Sequence, residues 1–280
     1  MIAFLPSPTD GVLHLGGLSV HVYGILLATG VVVAIWVTMR RVERLGGPPG
    51  EVLDGAVLVV VCGVIGARVY HVVTDYQNFT HGRWLDAFKI WQGGLSIWGA
   101  VLGGAVGLVI VTRRRHASAL GIADCVVPGL FLAQAIGRWG NWFNQELFGR
   151  PTTLPWGLQI DPAHRPAGYA HSATFHPTFL YESIYCLLGA VVLFAVDARL
   201  RPKRGQLMAL YVVLYTFGRF FFENLRIDRA HVVLGMRINA WVSVVGFVGG
   251  LVWFWWLGRH GGDGRAPLRT EPVGGSEPLG

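Results

Sequence analysis

The chain has 280 residues, 52% of them hydrophobic and only 14% charged. A mean hydropathy of +0.48 excludes a disordered or densely charged chain and argues for a polytopic membrane protein. The formal charge of +7 is read as topological bias and affinity for anionic lipid, not as a nucleic-acid footprint.

A spanning helix needs about 20 apolar residues, and seven stretches approach that length: 19–39, 52–73, 95–111, 120–143, 177–196, 205–222 and 238–257. The expected fold is all-α, with about seven transmembrane helices forming one membrane domain over residues 1–258. No Lys or Arg precedes Arg40, so the first stretch is expected to be a true span rather than the basic-led leader of a secreted chain. No lipobox-like start is present either, so the protein is not expected to be a lipoprotein itself. Basic residues gather after spans one (Arg40, Arg41, Arg44), three (Arg113, Arg114, Arg115), five (Arg199, Arg201, Lys203, Arg204) and seven (Arg259, Arg265, Arg269). They are sparser after spans two (Arg83, Lys89), four (Arg150, Arg165) and six (Arg226, Arg229, Arg237). The positive-inside rule then puts the N-terminus outside and the C-terminus in the cytoplasm.

Span two carries Arg68, His71 and Asp75 on one face. The paired glycines in the segment from Trp91 to Ser96 predict an interfacial bend. Span three spaces Gly99, Gly103 and Gly107 by four, a small-residue face for close helix contact. Span four ends in Gly137-Arg138-Trp139-Gly140-Asn141-Trp142-Phe143-Asn144-Gln145-Glu146-Leu147-Phe148-Gly149, where charge and amides arrive as the chain should be leaving lipid. Such groups are costly in a bilayer unless they face a polar cavity, which marks the segment as a candidate site. On a continuing helix Arg138, Asn141 and Gln145 share one stripe.

The connection over 145–175 holds Pro151, Pro155, Pro162 and Pro166 and is expected to form a small extracytoplasmic cap between helices four and five. Its histidines, with His176, lack ligand spacing, so no metal is expected. Span five opens on His176-Pro177, with Tyr181 and Glu182 a turn inside. Span six places Arg219 and Glu223 at i, i+4, with Arg226 next. Residues 259–280, rich in Gly, Pro and charge, are expected to be a disordered cytoplasmic tail. Cys62, Cys125 and Cys186 all lie inside apolar stretches and are read as core residues, not catalytic thiols.

Under this topology the charges of spans two, four and six fall near their outward ends. Guanidinium groups hold phosphate oxygens bidentately with a charge that cannot be titrated away. An anionic lipid headgroup is therefore the natural ligand of Arg138 and Arg219. Internal pairs, Arg138 with Glu146 and Arg219 with Glu223, are the structural alternative and are compatible with it. A reading from another class is an arginine-lined transporter or channel for an anionic solute, with Arg68, Arg138 and Arg219 along the path. It would want charge through the membrane depth and often internal repeats, and neither is evident.

The segment from Gly137 to Gly149 resembles the signature of the prolipoprotein diacylglyceryl transferases, Gly-Arg-x-Gly-Asn-(aromatic or small)-x-Asn-x-Glu-x-x-Gly, with every fixed position filled. The segments from His176 to Glu182 and from Arg219 to Arg226 resemble two further blocks in the same order. The resemblance runs from about Val20 to about Leu257. It implies a bacterial plasma-membrane enzyme that moves the diacylglyceryl group of phosphatidylglycerol onto the lipobox cysteine in the signal peptide of a prolipoprotein, releasing glycerol phosphate, with no cofactor. It implies catalytic roles for Arg138, Arg219, Tyr23, His176 and Glu146, and substrate-binding roles for Arg138, Asn141, Asn144, Gly149, Arg68, Glu182, Glu223 and Arg226. One position departs. Many members of the family carry a histidine shortly after a Gly-Gly-(small) stretch, where this chain has Trp98. An indole N–H only donates, so either the proton acceptor is elsewhere, at His176 or otherwise at Tyr23 or Glu146, or the reaction needs no general base.

Overall fold

The computed structural model describes residues 4–15, 18–79, 84–89, 93–264 and 268. Among them run seven long helices: α1 (Val22–Arg44), α2 (Pro49–Thr74), α3 (Ile97–Arg114), α4 (Ala119–Phe143), α5 (Thr178–Leu200), α6 (Gln206–Leu225) and α7 (Ile238–His260). Three small antiparallel ribbons accompany them: β1 (Val12–Leu15) with β2 (Leu18–His21), β3 (Leu158–Gln159) with β4 (Thr174–Phe175), and β5 (Val232–Val233) with β6 (Met236–Arg237). Six of the helices, all but α6, are long and apolar enough to cross a membrane, and the protein is a multi-pass membrane protein. The polar Arg219, Glu223 and Asn224 fall within the 20 residues of α6, which lowers its apolar content. Helix α1 starts later than the apolar run because Leu18–His21 pairs with β1 in the register Val12↔His21.

The chain forms two units, Met1–Val37 with Ala123–Arg265, and Thr38–Ile122 with Ala266–Gly280. In the second, α2 and α3 pack backbone to backbone. A Cβ on Gly66 would meet the Gly99 carbonyl, one on Gly99 would meet the Gly66 carbonyl, and one on Gly103 would meet the Cys62 carbonyl. Removing side chains lets the helix axes approach and brings main-chain surfaces into van der Waals contact. Gly93 and Gly94 both hold positive φ, +86° and +72°, and the chain bends there into α3. The neighbouring Trp91, Gln92 and Arg83 lie outside the described residues. So does most of the expected tail, including Arg265 and Arg269. Leu268 within it is nevertheless buried, and its carbonyl accepts from Ser118 N at 2.9 Å.

In the first unit, α4, α5 and α6 enclose a core of Val127, Phe131, Ala135, Cys186, Ala190, Leu193, Leu207 and Tyr211. The ring of Phe131 lies against Gly189, and that of Tyr185 against Gly218. Two polar contacts lie inside this core: Gln134 Nε2 donates to Tyr211 Oη at 2.7 Å, and Ser183 Oγ donates to the Ala135 carbonyl at 2.9 Å. The buried Asp124 carboxylate accepts from Gly205 N at 2.5 Å and Met208 N at 2.8 Å, capping the start of α6 from a neighbouring helix. Cys125 and Cys186 are free thiols buried in the helical unit.

The close α2–α3 approach gives a direct test. Gly66→Val and Gly103→Val should each lower the thermal stability of the detergent-purified protein by about 1–3 kcal/mol, the usual cost of overpacking. Gly104→Ala should be tolerated, because its nearest neighbour, Val59 Cγ1, is 3.9 Å from the added Cβ. Equal melting temperatures in all three variants would refute the contact.

Candidate active site

The site is built where three chain segments meet in the first unit. Helix α4 delivers Arg138 and Asn141 from one stripe and then unwinds. Gln145 and Leu147 take positive φ values of 49° and 57°, turning the chain sharply enough for Glu146 to fold back. Its Oε1 accepts from Asn141 Nδ2 at 2.8 Å and from Asn144 Nδ2 at 3.1 Å. The two asparagines of the signature thus act as a pair of donors that orient one carboxylate. Gln145 faces elsewhere: its Nε2 donates to Asp161 Oδ2 at 2.6 Å and the Pro8 carbonyl at 3.0 Å, and its Oε1 accepts from Asp161 N at 2.8 Å. That ties the 145–175 segment to the end of α4, over an apolar cluster of Phe148, Leu158, Ile160, Phe175 and Phe179.

Gly149 is the crossing point. A Cβ there would lie 2.8 Å from His176 Cβ and 3.0 Å from Leu225 Cγ. Gly149 N donates to the His176 carbonyl at 3.0 Å, and Arg150 N donates to the Leu225 carbonyl at 3.1 Å. One short strand therefore links the start of α5 to the end of α6. Tyr23, on the first turn of α1, lays its ring on Gly140, within electrostatic range of Glu146 and Arg138.

The arginines are paired, though not all as expected. Arg138 Nη2 lies 2.6 Å from Glu182 Oε2, so its carboxylate comes from α5 and not from Glu146. Arg219 Nη2 lies 2.5 Å from Glu223 Oε2 one turn along α6. Arg226 forms a fork on Asp228, Nε to Oδ1 at 2.7 Å and Nη2 to Oδ2 at 2.9 Å. The remaining member is Arg237, from the connection between α6 and α7. Its Nη1 donates to the carbonyls of Glu223 (3.0 Å) and Arg226 (2.9 Å), and its Nη2 to the carbonyl (2.9 Å) and carboxylate (2.9 Å) of Asp228. Its Nε sits 2.9 Å from Glu223 Oε1. The sequence does carry one sign of this role. A cation directly before the first turn of α7 stands at the wrong end for the helix dipole, which calls for a compensating partner.

Glu223 is fully buried. Its Oε2 contacts Arg219 and, at 3.9 Å, Arg226 Nη1, but without hydrogen-bond alignment, so charge rather than directed bonding holds that edge. Burial would raise the Asp228 pKa, but the hydrogen bond and charge of Arg226, with the charge of Arg237, hold it below the usual carboxylate range.

His176 and Tyr181 form a third group with Trp156. Trp156 Nε1 donates to Tyr181 Oη at 2.9 Å, and Tyr181 Oη lies 3.2 Å from His176 Nδ1. An indole can only donate, so the Tyr181 oxygen accepts from Trp156 and links it to the His176 ring. His176 is itself partly buried. Burial pushes its pKa below the ordinary histidine value. Arg68 belongs to the other unit, where its guanidinium donates to the carbonyls of Asp86, Ala87, Gly93 and Gly94 at 2.5–3.1 Å and so holds the bend before α3. His71 Nδ1 lies 2.9 Å from Oδ2 of Asp75, the residue that caps the end of α2. Trp98 sits near the start of α3, half-exposed. No group of three or more metal-ligating side chains occurs among the described residues.

Residues 10–256 match the family model described as prolipoprotein diacylglyceryl transferase. The chain belongs to this family. It is 50% identical over 262 residues to a Cutibacterium acnes protein named phosphatidylglycerol–prolipoprotein diacylglyceryl transferase, covering 93% of this chain and 88% of that one. A Streptomyces coelicolor protein of the same name, numbered 2, is 50% identical over 250 residues, with 89% and 79% covered. One from Bifidobacterium adolescentis is 43% identical over 267 residues, with 90% and 80% covered. The family signature thus comprises the helix end, the two asparagine donors, the carboxylate they hold and the glycine crossing.

The depressed pKa of His176 has a readable sign. The folded state favours the neutral ring, so stability from this group is present above about pH 6.5, the unfolded value, and is lost as pH falls through the lower folded value. NMR titration of the labelled ring should give a midpoint below about 6.5. A midpoint above it would contradict the burial.

Proposed function

We propose that the protein transfers the diacylglyceryl group of phosphatidylglycerol to the lipobox cysteine of prolipoproteins in a bacterial plasma membrane. In this reaction the substrate thiolate attacks the glycerol carbon that bears the phosphate. A C–S bond forms, the C–O bond to phosphate breaks, glycerol phosphate leaves, and the thiol proton passes to an acceptor. The observation that carries the reading is the state of two arginines. The described contacts of Arg138 and Arg219 each engage a single terminal nitrogen, while Arg226 and Arg237 are bound in forks and to carbonyls. Arg138 and Arg219 thus present most of their N–H donors, and phosphate oxygens fit that geometry. Donors poised for charge that grows on a leaving phosphate act mainly in the transition state. The names of the relatives support the same chemistry.

The nucleophile is the substrate's, which agrees with a chain whose own buried cysteines sit in the apolar core. The thiol, with an ordinary pKa near ~8.5, needs a positive field or a base. Arg138 and Arg219 supply the field. His176 relays the proton through Nδ1 and the Tyr181 hydroxyl, with Glu146 and Tyr23 as the other candidate acceptors. Asn141, Asn144 and Gly149 shape the pocket around Glu146, Glu182 and Glu223 aim the two arginines, and Arg226 completes the wall. Arg68 acts by holding the bend before α3. Helix α6 is the seventh span, its charges internally compensated as intramembrane charge requires. The N-terminus and the 145–175 segment then lie outside the cytoplasm.

Arg138→Lys and Arg219→Lys should each lower transfer of labelled diacylglyceryl from phosphatidylglycerol to a lipobox peptide by about 10²-fold or more, the usual cost of losing one oxyanion donor. Charge is kept and only the planar fork is lost. Near-normal turnover by both lysine variants, or no thioether product from the unsubstituted protein, would refute the proposal. For topology, an impermeant maleimide applied to intact cells should label Thr153→Cys and spare Arg114→Cys. The opposite pattern would put the site in the wrong leaflet.

A further inference from the structure

The connection between α6 and α7 turns its apolar side chains outward. β5 and β6 pair Val232 with Arg237 and Val233 with Met236, leaving Leu234 and Gly235 as a two-residue turn. Both hold positive φ, +49° and +77°, a turn that favours Asn or Asp followed by Gly. Leucine is strained in that region. Its side chain is also 87% exposed, with Val232 at 62% and Val233 at 47%. The strain is therefore not offset by packing within the chain.

The ribbon is fixed rather than loose. Ile238 N donates to the His231 carbonyl at 3.0 Å, Trp241 Nε1 donates to the Val233 carbonyl at 2.9 Å, and Arg237 fastens the base of the ribbon to the last carbonyls of α6. The exposed apolar strip resumes past Arg237 on α7, through Ile238, Trp241, Val242 and Val245. These stand at i, i+3, i+4 and i+7, one helix face, on a helix apolar enough to cross a membrane. Two groups beside the strip, Arg229 and His231, are exposed.

We propose that the β5–β6 tip is an interfacial anchor whose occupant is membrane lipid. Leu234 and the two valines enter the boundary between headgroups and acyl chains, and Arg229 lies at the level of anionic headgroups. Continuity with the lipid-facing side of α7 favours lipid over a peptide partner, and a belt tryptophan, Trp241, marks the interface depth. Arg237 grips both the ribbon and Glu223, so the anchor also sets the height of Arg219 relative to the bilayer surface. That consequence rests on the phosphate reading above, whereas the anchor itself does not.

The test is Leu234→Cys carrying an environment-sensitive fluorophore, in vesicles of phosphatidylglycerol and phosphatidylcholine, with Val232→Cys as a second labelling position. The emission should be blue-shifted, and shallow acyl-chain nitroxides should quench it several-fold more strongly than aqueous iodide. Water-like emission with dominant iodide quenching at both positions would overturn the proposal. So would protection that develops only when a lipobox peptide is added, since the occupant would then be peptide. The readout needs no turnover, so failure of the transfer assay would leave it unaffected.

Discussion

The geometry of the candidate site depends on one buried carboxylate. Glu223 carries a negative charge where water does not reach, with Arg219, Arg226 and Arg237 gathered around it. A carboxylate in such a place is tolerable only with compensating cations, and clustered arginines are tolerable only with a central anion. Each side of the arrangement makes the other possible. Asp228 closes it by bridging Arg226 and Arg237. Because Arg237 precedes α7 and Arg219 lies within α6, the ion cluster also defines how these two helices join.

This constraint separates two kinds of arginine that look alike in sequence. Arg226 and Arg237 are committed in their planar edges and serve as framework. Arg138 and Arg219 each meet their glutamate through one nitrogen, held in place yet retaining donors. A glutamate that aims a guanidinium need not compete with a phosphate that approaches another edge, since the fork has five N–H groups. The same logic applies to Glu146, oriented by two amides rather than by a cation, which keeps it a different kind of acceptor from Glu182.

Much of this was legible in the sequence for simple reasons. Apolar length locates the helices, and the glycines at spacing four mark the α2–α3 contact because close helix approach has few other solutions. Polar residues at the end of an apolar run mark the site. Partner choice was not legible. Arg138 finds Glu182 rather than Glu146 because the chain reverses at Gln145 and Leu147 into left-handed conformations that neither residue type announces. The first ribbon shortens α1, since Leu18–His21 is apolar enough for either state and only pairing decides. Leu268 is buried although its surroundings read as tail, because one leucine is too little signal against glycine and proline. The roles of Arg237 and Asp228 are not legible, because loop charges are ordinarily solvated.

The crossing at Gly149 has a consequence for which changes of length the chain tolerates. Gly149 N and Arg150 N donate to opposite neighbours, the His176 and Leu225 carbonyls, as alternation along an extended strand requires. Register here has a period of two. Inserting or deleting one residue between Asn144 and Gly149 would bring a side chain to the place where an added Cβ would lie 2.8 Å from His176 Cβ and would exchange the two faces. Homologous sequences that keep this architecture should therefore hold the length of the stretch constant, with indels displaced into the proline-rich part beyond Pro151.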